Sequence, residues 1–508
     1  MEKIMEQIAN VNGVINDFVW VTLGLALLLG TGILMTVLTK FFQVTHLGHW
    51  MKNTIGSIFK KSVIKHTGDK ASISPFQALC TALAATIGTG NIAGVAAAIV
   101  TGGAGAVFWM WFAAFFGMMT NYSENVLGIY FRRKNQNGEW SGGAMYYLQD
   151  GLGSRKGFKG LGKFLAVLFS IFCILASFGI GNMGQVNKIV ANVESAFPIK
   201  ALNTPLYGGV TVYTVIIGVV IMILAGLIIL GGLQRIASFA EKVVPFMVVL
   251  FVIGSLVVIG VHYGNIIPAF RSIFANAFSL KAVEGGTIGA LISKVVTAGF
   301  KRGVFSNEAG LGSSVMVHSN SNIKEPIKQG MWGSFEVFMD TIVVCTMTAL
   351  VILTSGVYKP GTEMNDATMM GDAFNTVFSF GGIGSKFIAV AMFLFAFTTV
   401  LGWSHYGSKA WEYLFGTKSV VGYKTFFVLM LISGALMTSS LAWDISDTFN
   451  GLMMIPNLIG VISLCGLVSK ITKNYIDRKI KNKKGVKPML SFDAKIQAEA
   501  EATLSDDE

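Results

Sequence analysis

Long apolar runs recur along the chain and are separated by short polar segments. An α-helix needs about 20 mainly apolar residues to cross a hydrocarbon layer of about 30 Å. Such runs lie near residues 16–40, 76–100, 104–131, 163–194, 209–230, 243–263, 285–316, 331–356, 383–407, 425–440 and 444–469. The pattern predicts an all-α, multi-pass membrane protein with about 11 transmembrane helices.

Two of these spans contain sequences that weaken a helix. Residues 82–95 read ALAATIGTGNIAGV, and residues 299–312 read GFKRGVFSNEAGLG. Glycine costs a helix roughly 1 kcal/mol per position relative to alanine. Inside a bilayer, a backbone released from a helix needs partners in protein or in a polar cavity. Two broken helices in corresponding places of two halves indicate the binding site of a secondary transporter.

The spans also predict a repeat. If the first span is set aside, the others divide into two groups of five. An odd number of spans per group makes the second group face the opposite way, which is an inverted repeat. The predicted units are an N-terminal helix with a basic interfacial segment (1–75), a first repeat (76–263), a second repeat (285–469) and a cytoplasmic tail (470–508).

Composition supports the membrane prediction and excludes a soluble protein. Of the 508 residues 53% are hydrophobic and 13% are charged, about half the charged fraction of a soluble domain. The net charge of +12 does not indicate nucleic acid, because 29 of the 39 lysines and arginines fall in alternate loops and in the tail. Loops that are rich in lysine and arginine remain on the cytoplasmic side of the membrane. We predict a bacterial-type inner (plasma) membrane protein with the N-terminus outside, the C-terminus in the cytoplasm and the lipid bilayer as its surroundings.

The first break has the chemistry that a small zwitterion requires. A carboxylate prefers unpaired backbone N–H groups at a helix N-terminus, and an ammonium group prefers free carbonyls. The candidate residues are Thr86, Gly88, Thr89, Gly90 and Asn91. The alternative is a close helix crossing through small residues at four-residue spacing, beginning at Gly90.

The second break contributes Phe305, Ser306 and Asn307 as candidates. The next residue, Glu308, is an ionisable group at membrane depth and hence a functional candidate. A structural pairing of Glu308 with Arg302 or another basic residue at the inner mouth is the alternative. Lys301 and Arg302 are interpreted as an inner gate or as a charge anchor.

Other spans supply further polar residues. Gln185 reaches substrate or makes an interhelical hydrogen bond. Thr398 and Thr399 offer hydroxyls to a monovalent cation, or bond their own helix backbone. Trp403 lies one turn later on the same span. Three more intramembrane carboxylates serve as helix–helix contacts or proton sites: Asp340, Glu336 and Glu124.

No hydrolase, zinc-protease, ATP-binding or dinucleotide motif occurs in a supporting context, so we predict neither an enzyme nor a cofactor. A channel-like conduit lined by the two breaks is the rival from another class, and a membrane-embedded enzyme lacks a plausible catalytic set. Nothing in the sequence indicates an oligomeric state.

Together with residues 141–147 (SGGAMYY), the two broken segments resemble the alanine or glycine:cation symporter family. The resemblance covers about residues 16–470 and implies a LeuT-type fold that carries small neutral amino acids with Na⁺, or sometimes H⁺, as coupling ion. The alternative substrate within the family is glutamine or another neutral amino acid.

The resemblance also implies roles for individual residues. The implied substrate site consists of Thr86, Gly88, Asn91, Gln185, Phe305, Ser306, Thr399 and Trp403. The implied sodium site consists of carbonyls near Ala85 and Gly88 and the hydroxyls of Thr398 and Thr399.

Overall fold

The computed structural model describes residues 2–58, 71–207, 209–278, 288–360, 368–437 and 441–504. The helices of the first half are α1 Glu2–Asp17, α2 Leu25–Leu38, α3 Phe42–Thr45, α4 Leu47–Asn53, α5 Pro75–Thr86, α6 Val95–Gly102, α7 Gly105–Tyr130, α8 Ala144–Tyr146, α9 Lys159–Phe178, α10 Gly184–Ala196, α11 Val212–Ile229, α12 Gly232–Val261 and α13 Ile266–Ala277. Those of the second half are α14 Ile288–Asn307, α15 Val315–His318, α16 Pro326–Val337, α17 Thr346–Thr354, α18 Met369–Asn375, α19 Ile383–Phe415, α20 Val420–Leu436, α21 Leu441–Ser463, α22 Cys465–Tyr475 and α23 Ala494–Ala502.

Short π-helical segments interrupt or join several of these helices. They are Phe18–Gly24, Gly90–Gly94, Tyr147–Leu152, Gly179–Met183, Phe338–Cys345 and Ile476–Ile480. Such segments occur frequently at functional sites, because a wider turn redirects side chains and carbonyls. Among the described residues, the strands form two small antiparallel hairpins. In these, β1 Arg133–Lys134 pairs with β2 Trp140–Ser141, and β3 Pro205–Tyr207 pairs with β4 Val210–Thr211.

The prediction of an all-α, multi-pass protein is confirmed. Within the described ranges, 8 helical stretches are long and apolar enough to cross a membrane, and one bent pair adds a ninth. Helix α7 is 26 residues long, but its second half carries polar residues such as Asn121 and Glu124. The predicted count of 11 spans and the division into two five-helix repeats stay predictions.

The first break lies where the glycines predict it. Helix α5 begins at a capping box formed by Ser74 and Gln77, with Pro75 in the first turn. It ends before Ile87, whose backbone is extended. The chain then turns by 55° into Gly90–Gly102. Residues 77–99 are all buried, so the break faces protein or cavity and not lipid.

The second break begins later than the sequence suggests. Helix α14 runs unbroken through Gly299 and Gly303 to Asn307, and the irregular segment is Glu308–Ser314. Gly299 permits a close crossing with α7, because a Cβ there would overlap the Ala106 carbonyl oxygen. Phe305, Ser306 and Asn307 are therefore the last helical residues before the break, and not part of an unwound stretch.

The C-terminal tail packs against the helical core. Arg478 forms an ion pair of 2.7 Å with the buried Glu325, and the Phe492 amide donates to the Tyr130 carbonyl at 2.9 Å. These contacts define the tail side of the molecule; the face where α1 begins is called the far side. Of the predicted interfacial segment, α3 and α4 are described, whereas Lys60 and Lys61 lie outside the described residues.

Candidate functional site

The first break contacts the C-terminal end of α14 and the middle of α19. A Cβ added to Gly90 would lie 3.1 Å from the Phe305 ring and 3.3 Å from the Ser306 Cα. A Cβ added to Gly88 would lie 2.5 Å from the Thr399 hydroxyl and 3.5 Å from Gln185 Oε1. The fold thus brings predicted site residues from four separate spans to one place.

Asp340 forms the polar centre of this place. Its Oδ1 accepts from Asn91 Nδ2 at 2.7 Å, and its Oδ2 accepts from the hydroxyls of Ser306 and Thr341, each at 2.8 Å. The Cys345 thiol lies 3.2 Å from Ser306 Oγ. All five side chains are buried. The carboxylate and the two hydroxyl oxygens beside it are ligands of the type that hard cations prefer.

Asn91 joins the Asp340 cluster to the broken backbone. Its Oδ1 accepts from the Gly88 amide at 2.9 Å, while its Nδ2 donates to Asp340. Its carbonyl accepts from the Thr348 hydroxyl at 2.7 Å. A substitution or a bound ion at Asp340 therefore affects the turn at Gly88 through the side chain of Asn91.

Two buried polar atoms at the first break have no hydrogen-bond partner within the described part of the chain. They are Gln185 Oε1 and the Thr89 hydroxyl, on residues 3% and 2% exposed. The Gln185 amide group is held by the Ile180 carbonyl at 3.0 Å, so its orphaned oxygen is directed by that bond. A buried unpaired polar atom is costly unless a ligand or water satisfies it.

A cavity of about 230 Å³ opens from this place toward the far side. Thr89 and Phe305 lie among its lining residues, with Lys301, Arg302 and Asp447. Lys301 is paired with Asp447 at 2.5 Å, and Arg302 lies 5.7 Å from the Phe305 ring centre. Lys301 and Arg302 thus lie on the far side, which the predicted orientation places outside, and their role as a gate or as a charge anchor stays a prediction.

Trp403 and Glu308 lie on the tail side of the first break, opposite the far-side cavity. Trp403 Nε1 donates to Glu308 Oε1 at 2.8 Å, and the Ser313 hydroxyl donates to Glu308 Oε2 at 2.5 Å. The alternative in which Glu308 pairs with Arg302 is therefore wrong. Both residues are almost fully buried.

The residues of the predicted sodium site come together only in part. Ala85 packs on Gly402, and Gly88 on Thr399. The Thr399 hydroxyl donates to its own helix, to the Phe395 carbonyl at 3.0 Å. The Thr398 hydroxyl bonds the Leu394 and Phe395 carbonyls and lies 3.6 Å from Met247 on α12, so it points away from Gly88.

Two of the predicted residues have structural partners. Asn307 donates to Thr341 and accepts from the Ala309 amide, so it caps the end of α14. The Thr86 hydroxyl bonds the Ala82 carbonyl within α5. The sequence analysis missed the central position of Asp340, although a carboxylate at membrane depth was the available signal.

Known proteins resemble this chain over nearly its whole length. A family model described as "Sodium:alanine symporter family" matches residues 5–489. The chain belongs to the sodium:alanine symporter family. The relatives include "Sodium/alanine symporter AgcS" of Methanococcus maripaludis, 43% identical over 93% of this chain and 98% of the relative. They also include "Probable sodium/glutamine symporter GlnT" of Bacillus subtilis, 34% identical over 94% and 92%.

Among solved structures, the chain is similar to MhsT in complex with L-phenylalanine, with a TM-score of 0.51 and 14% identity over 80% of this chain and 99% of that one. This likeness supports the fold alone, and it confirms the prediction of a LeuT-type fold. Because the family and the relatives are amino-acid transporters, this member of the sodium:alanine symporter family is a transporter and not an enzyme.

Proposed function

We propose that the protein carries small neutral amino acids, alanine and glycine first, into the cell together with Na⁺ by alternating access. The observation that supports it most is the pair of orphaned polar atoms, Gln185 Oε1 and the Thr89 hydroxyl, beside a broken helix. Gln185 Oε1 lies 3.5 Å from the Cβ position of Gly88, and Thr89 stands between Gly88 and Gly90 in the chain. A ligand with an ammonium donor and a carboxylate acceptor satisfies both.

The substrate's two charged ends are assigned from this chemistry. Gln185 Oε1 accepts from the ammonium group, since it is an acceptor only. The carboxylate takes the Thr89 hydroxyl and amides of the first turn after the break, which have no partners within their own helix. Phe305 covers this site toward the far-side cavity, and Trp403 closes it toward the tail side.

The coupling ion is assigned to the Asp340 cluster. Na⁺ at this cluster would be held by Asp340 with the hydroxyl oxygens of Ser306 and Thr341, while Asn91 stays bonded to Asp340 through its Nδ2. A second position, between the carbonyls of Ala85 and Gly88 and the Thr399 hydroxyl, remains a proposal from the family resemblance. One buried carboxylate matches the single charge of Na⁺, which removes the cost of an unpaired buried charge.

The contacts of Asn91 give a route for coupling. An ion that engages Asp340 fixes Asn91, and Asn91 holds the Gly88 amide at the substrate site. By linkage, Na⁺ and substrate then raise each other's affinity by the same factor. The excess of lysine and arginine on the tail side supports an orientation with the N-terminus outside and the tail in the cytoplasm of a bacterial-type cell.

The test is uptake of labelled alanine into proteoliposomes, with an inward Na⁺ gradient, an equal K⁺ gradient or an acid-outside pH gradient. We expect accumulation above equilibrium with Na⁺ alone, and its loss when a Na⁺ ionophore collapses the gradient. Equal uptake with K⁺ would contradict coupling to Na⁺, and accumulation driven only by acid would move the coupling to protons. Competition by glycine, serine and glutamine then ranks the substrates.

A further inference from the structure

Glu308 has a backbone conformation that a glutamate rarely adopts. It follows the last residue of α14 with a φ of 55°, in the left-handed region that favours glycine. The other described non-glycine residues with positive φ are Lys40, Phe41 and Asn482, and all three are exposed. Glu308 is 4% exposed, so a strained backbone here carries a buried carboxylate. Such outliers are a reason to look for a function of the side chain.

The Glu308 carboxylate connects the second break to α19. One oxygen accepts from Trp403 Nε1 at 2.8 Å, and the other accepts from Ser313 Oγ at 2.5 Å. Within the described ranges, no lysine, arginine or histidine lies within salt-bridge distance of it. Its contacts are therefore two directed hydrogen bonds and not an ion pair.

Trp403 lies one helical turn from the substrate site. It follows Thr399 by four residues on α19, and it packs on Gly181, which precedes Gln185 by four residues on the facing span. Four residues correspond to about one turn, or about 5–6 Å. Gln185 and Thr399 both contact Gly88. The contact between Trp403 and Gly181 lies one helical turn closer to the tail side, and it closes the site on that side.

Packing alone leaves the orientation of the indole open, whereas the hydrogen bond selects one. A Cβ at Gly181 would overlap the Trp403 side chain, and Tyr406 packs edge-on with ring centres 5.4 Å apart. A ring turned over about its Cβ–Cγ bond would direct Nε1 away from Glu308 and leave a buried N–H unpaired. That loss is unfavourable, so the carboxylate holds the ring in its observed position.

We propose that Glu308 is a positioning residue that fixes Trp403 as the floor of the amino-acid site and thereby limits the size of the transported side chain. The inference rests on the proposed function. A carboxylate suits this task because it accepts from both Trp403 and Ser313. A leucine offers no acceptor, so it satisfies neither of them, whereas an amide could still accept from Trp403 and donate to the Ser313 hydroxyl.

The experiment measures how well serine, valine and glutamine compete with labelled alanine in Na⁺-driven proteoliposomes. For E308L, which removes both acceptor oxygens, we expect glutamine to gain about tenfold on alanine, the scale that one lost packing constraint produces. W403F keeps an aromatic ring but lacks the N–H, and it should shift the ratio in the same direction. The double variant should shift it no further than either single variant, because both remove the same hydrogen bond.

A matched control is E325L, which makes the same change at a buried glutamate that pairs with Arg478 on the tail side. It should keep the wild-type selectivity. An unchanged ratio in W403F, or additive shifts in the double variant, would overturn the role of Glu308. If E308L does not elute as a folded protein, the selectivity of W403F alone tests the proposal. Failure of the wild type to accumulate alanine with Na⁺ would instead contradict the proposed function.

Discussion

The first break leaves three residues, Ile87–Thr89, between its helical halves, whereas the second leaves seven, Glu308–Ser314. At the first break, the Thr89 hydroxyl and the nearby Gln185 Oε1 have no partner in the described chain. At the second break, the Asn457 amide group donates to the Gly310 carbonyl at 2.8 Å and to the Glu124 carboxylate, whose other oxygen has no partner in the described chain.

The difference separates two uses of a broken helix. Backbone released from a helix inside a membrane must find partners. At the second break these partners are side chains from other helices, so the loop is a fixed part of the core. At the first break part of the polar surface is left open beside a cavity, which is where a ligand can add hydrogen bonds. We infer that the first break binds substrate and the second supports it.

The largest loss of alanine uptake should follow from removing the charge of Asp340 beside the first break. In D340N the carboxylate that accepts from Asn91, Ser306 and Thr341 becomes an amide with one acceptor oxygen. We expect Na⁺-driven alanine uptake to fall by about 100-fold, equivalent to about 3 kcal/mol. Uptake at saturating Na⁺ measures this, with E325Q as the matched carboxylate-to-amide control. Retained Na⁺ activation would remove Asp340 from the coupling site.

A glycine at each break tests the comparison directly. In G88A the new Cβ would lie 2.5 Å from the Thr399 hydroxyl, so alanine uptake should fall by about tenfold or more while the melting temperature holds. In G310A an alanine must adopt a φ of +94°, so the protein should lose about 1–2 kcal/mol of stability. Thermal unfolding and uptake are measured on both. A stability loss confined to G88A would reverse the assignment of the two breaks.

A smaller effect is expected from the side chain that satisfies the second break. N457A leaves the Gly310 carbonyl without its donor and exposes Glu124 to an unfilled space. We expect a loss of about 1–3 kcal/mol in unfolding, with the KM for alanine unchanged. The measurement is thermal unfolding beside an uptake titration. A KM shift with normal stability would indicate that the second break contacts substrate.

The smallest effect should come from T399A. The Thr399 hydroxyl touches Gly88 but is already bonded to the Phe395 carbonyl, so it is a weaker ligand than Asp340. We expect the Na⁺ concentration for half-maximal uptake to rise by about fivefold. T398A is the matched control, because the Thr398 hydroxyl points toward Met247. Equal sodium dependence in wild type and T399A would remove Thr399 from the ion site.

The membrane character, the family and the position of the first break could be predicted from the amino-acid sequence alone. These features depend on local chemistry: apolar runs of spanning length, and glycines that weaken one helix at Gly88 and Gly90. The same reasoning placed the second break too early, because Gly299 and Gly303 also have a low helix propensity. In the structure the packing of α14 on α7 keeps that helix intact.

Which polar residues contact one another could be seen only in the tertiary structure. Asp340 lies 249 positions from Asn91 and 34 from Ser306, and no local pattern joins them. The partner of Glu308 was equally undetermined, because Arg302 is near in sequence while Trp403, 95 positions away, is near in space. Helix periodicity gives the face of each residue, but the packing of helices against one another selects which faces touch.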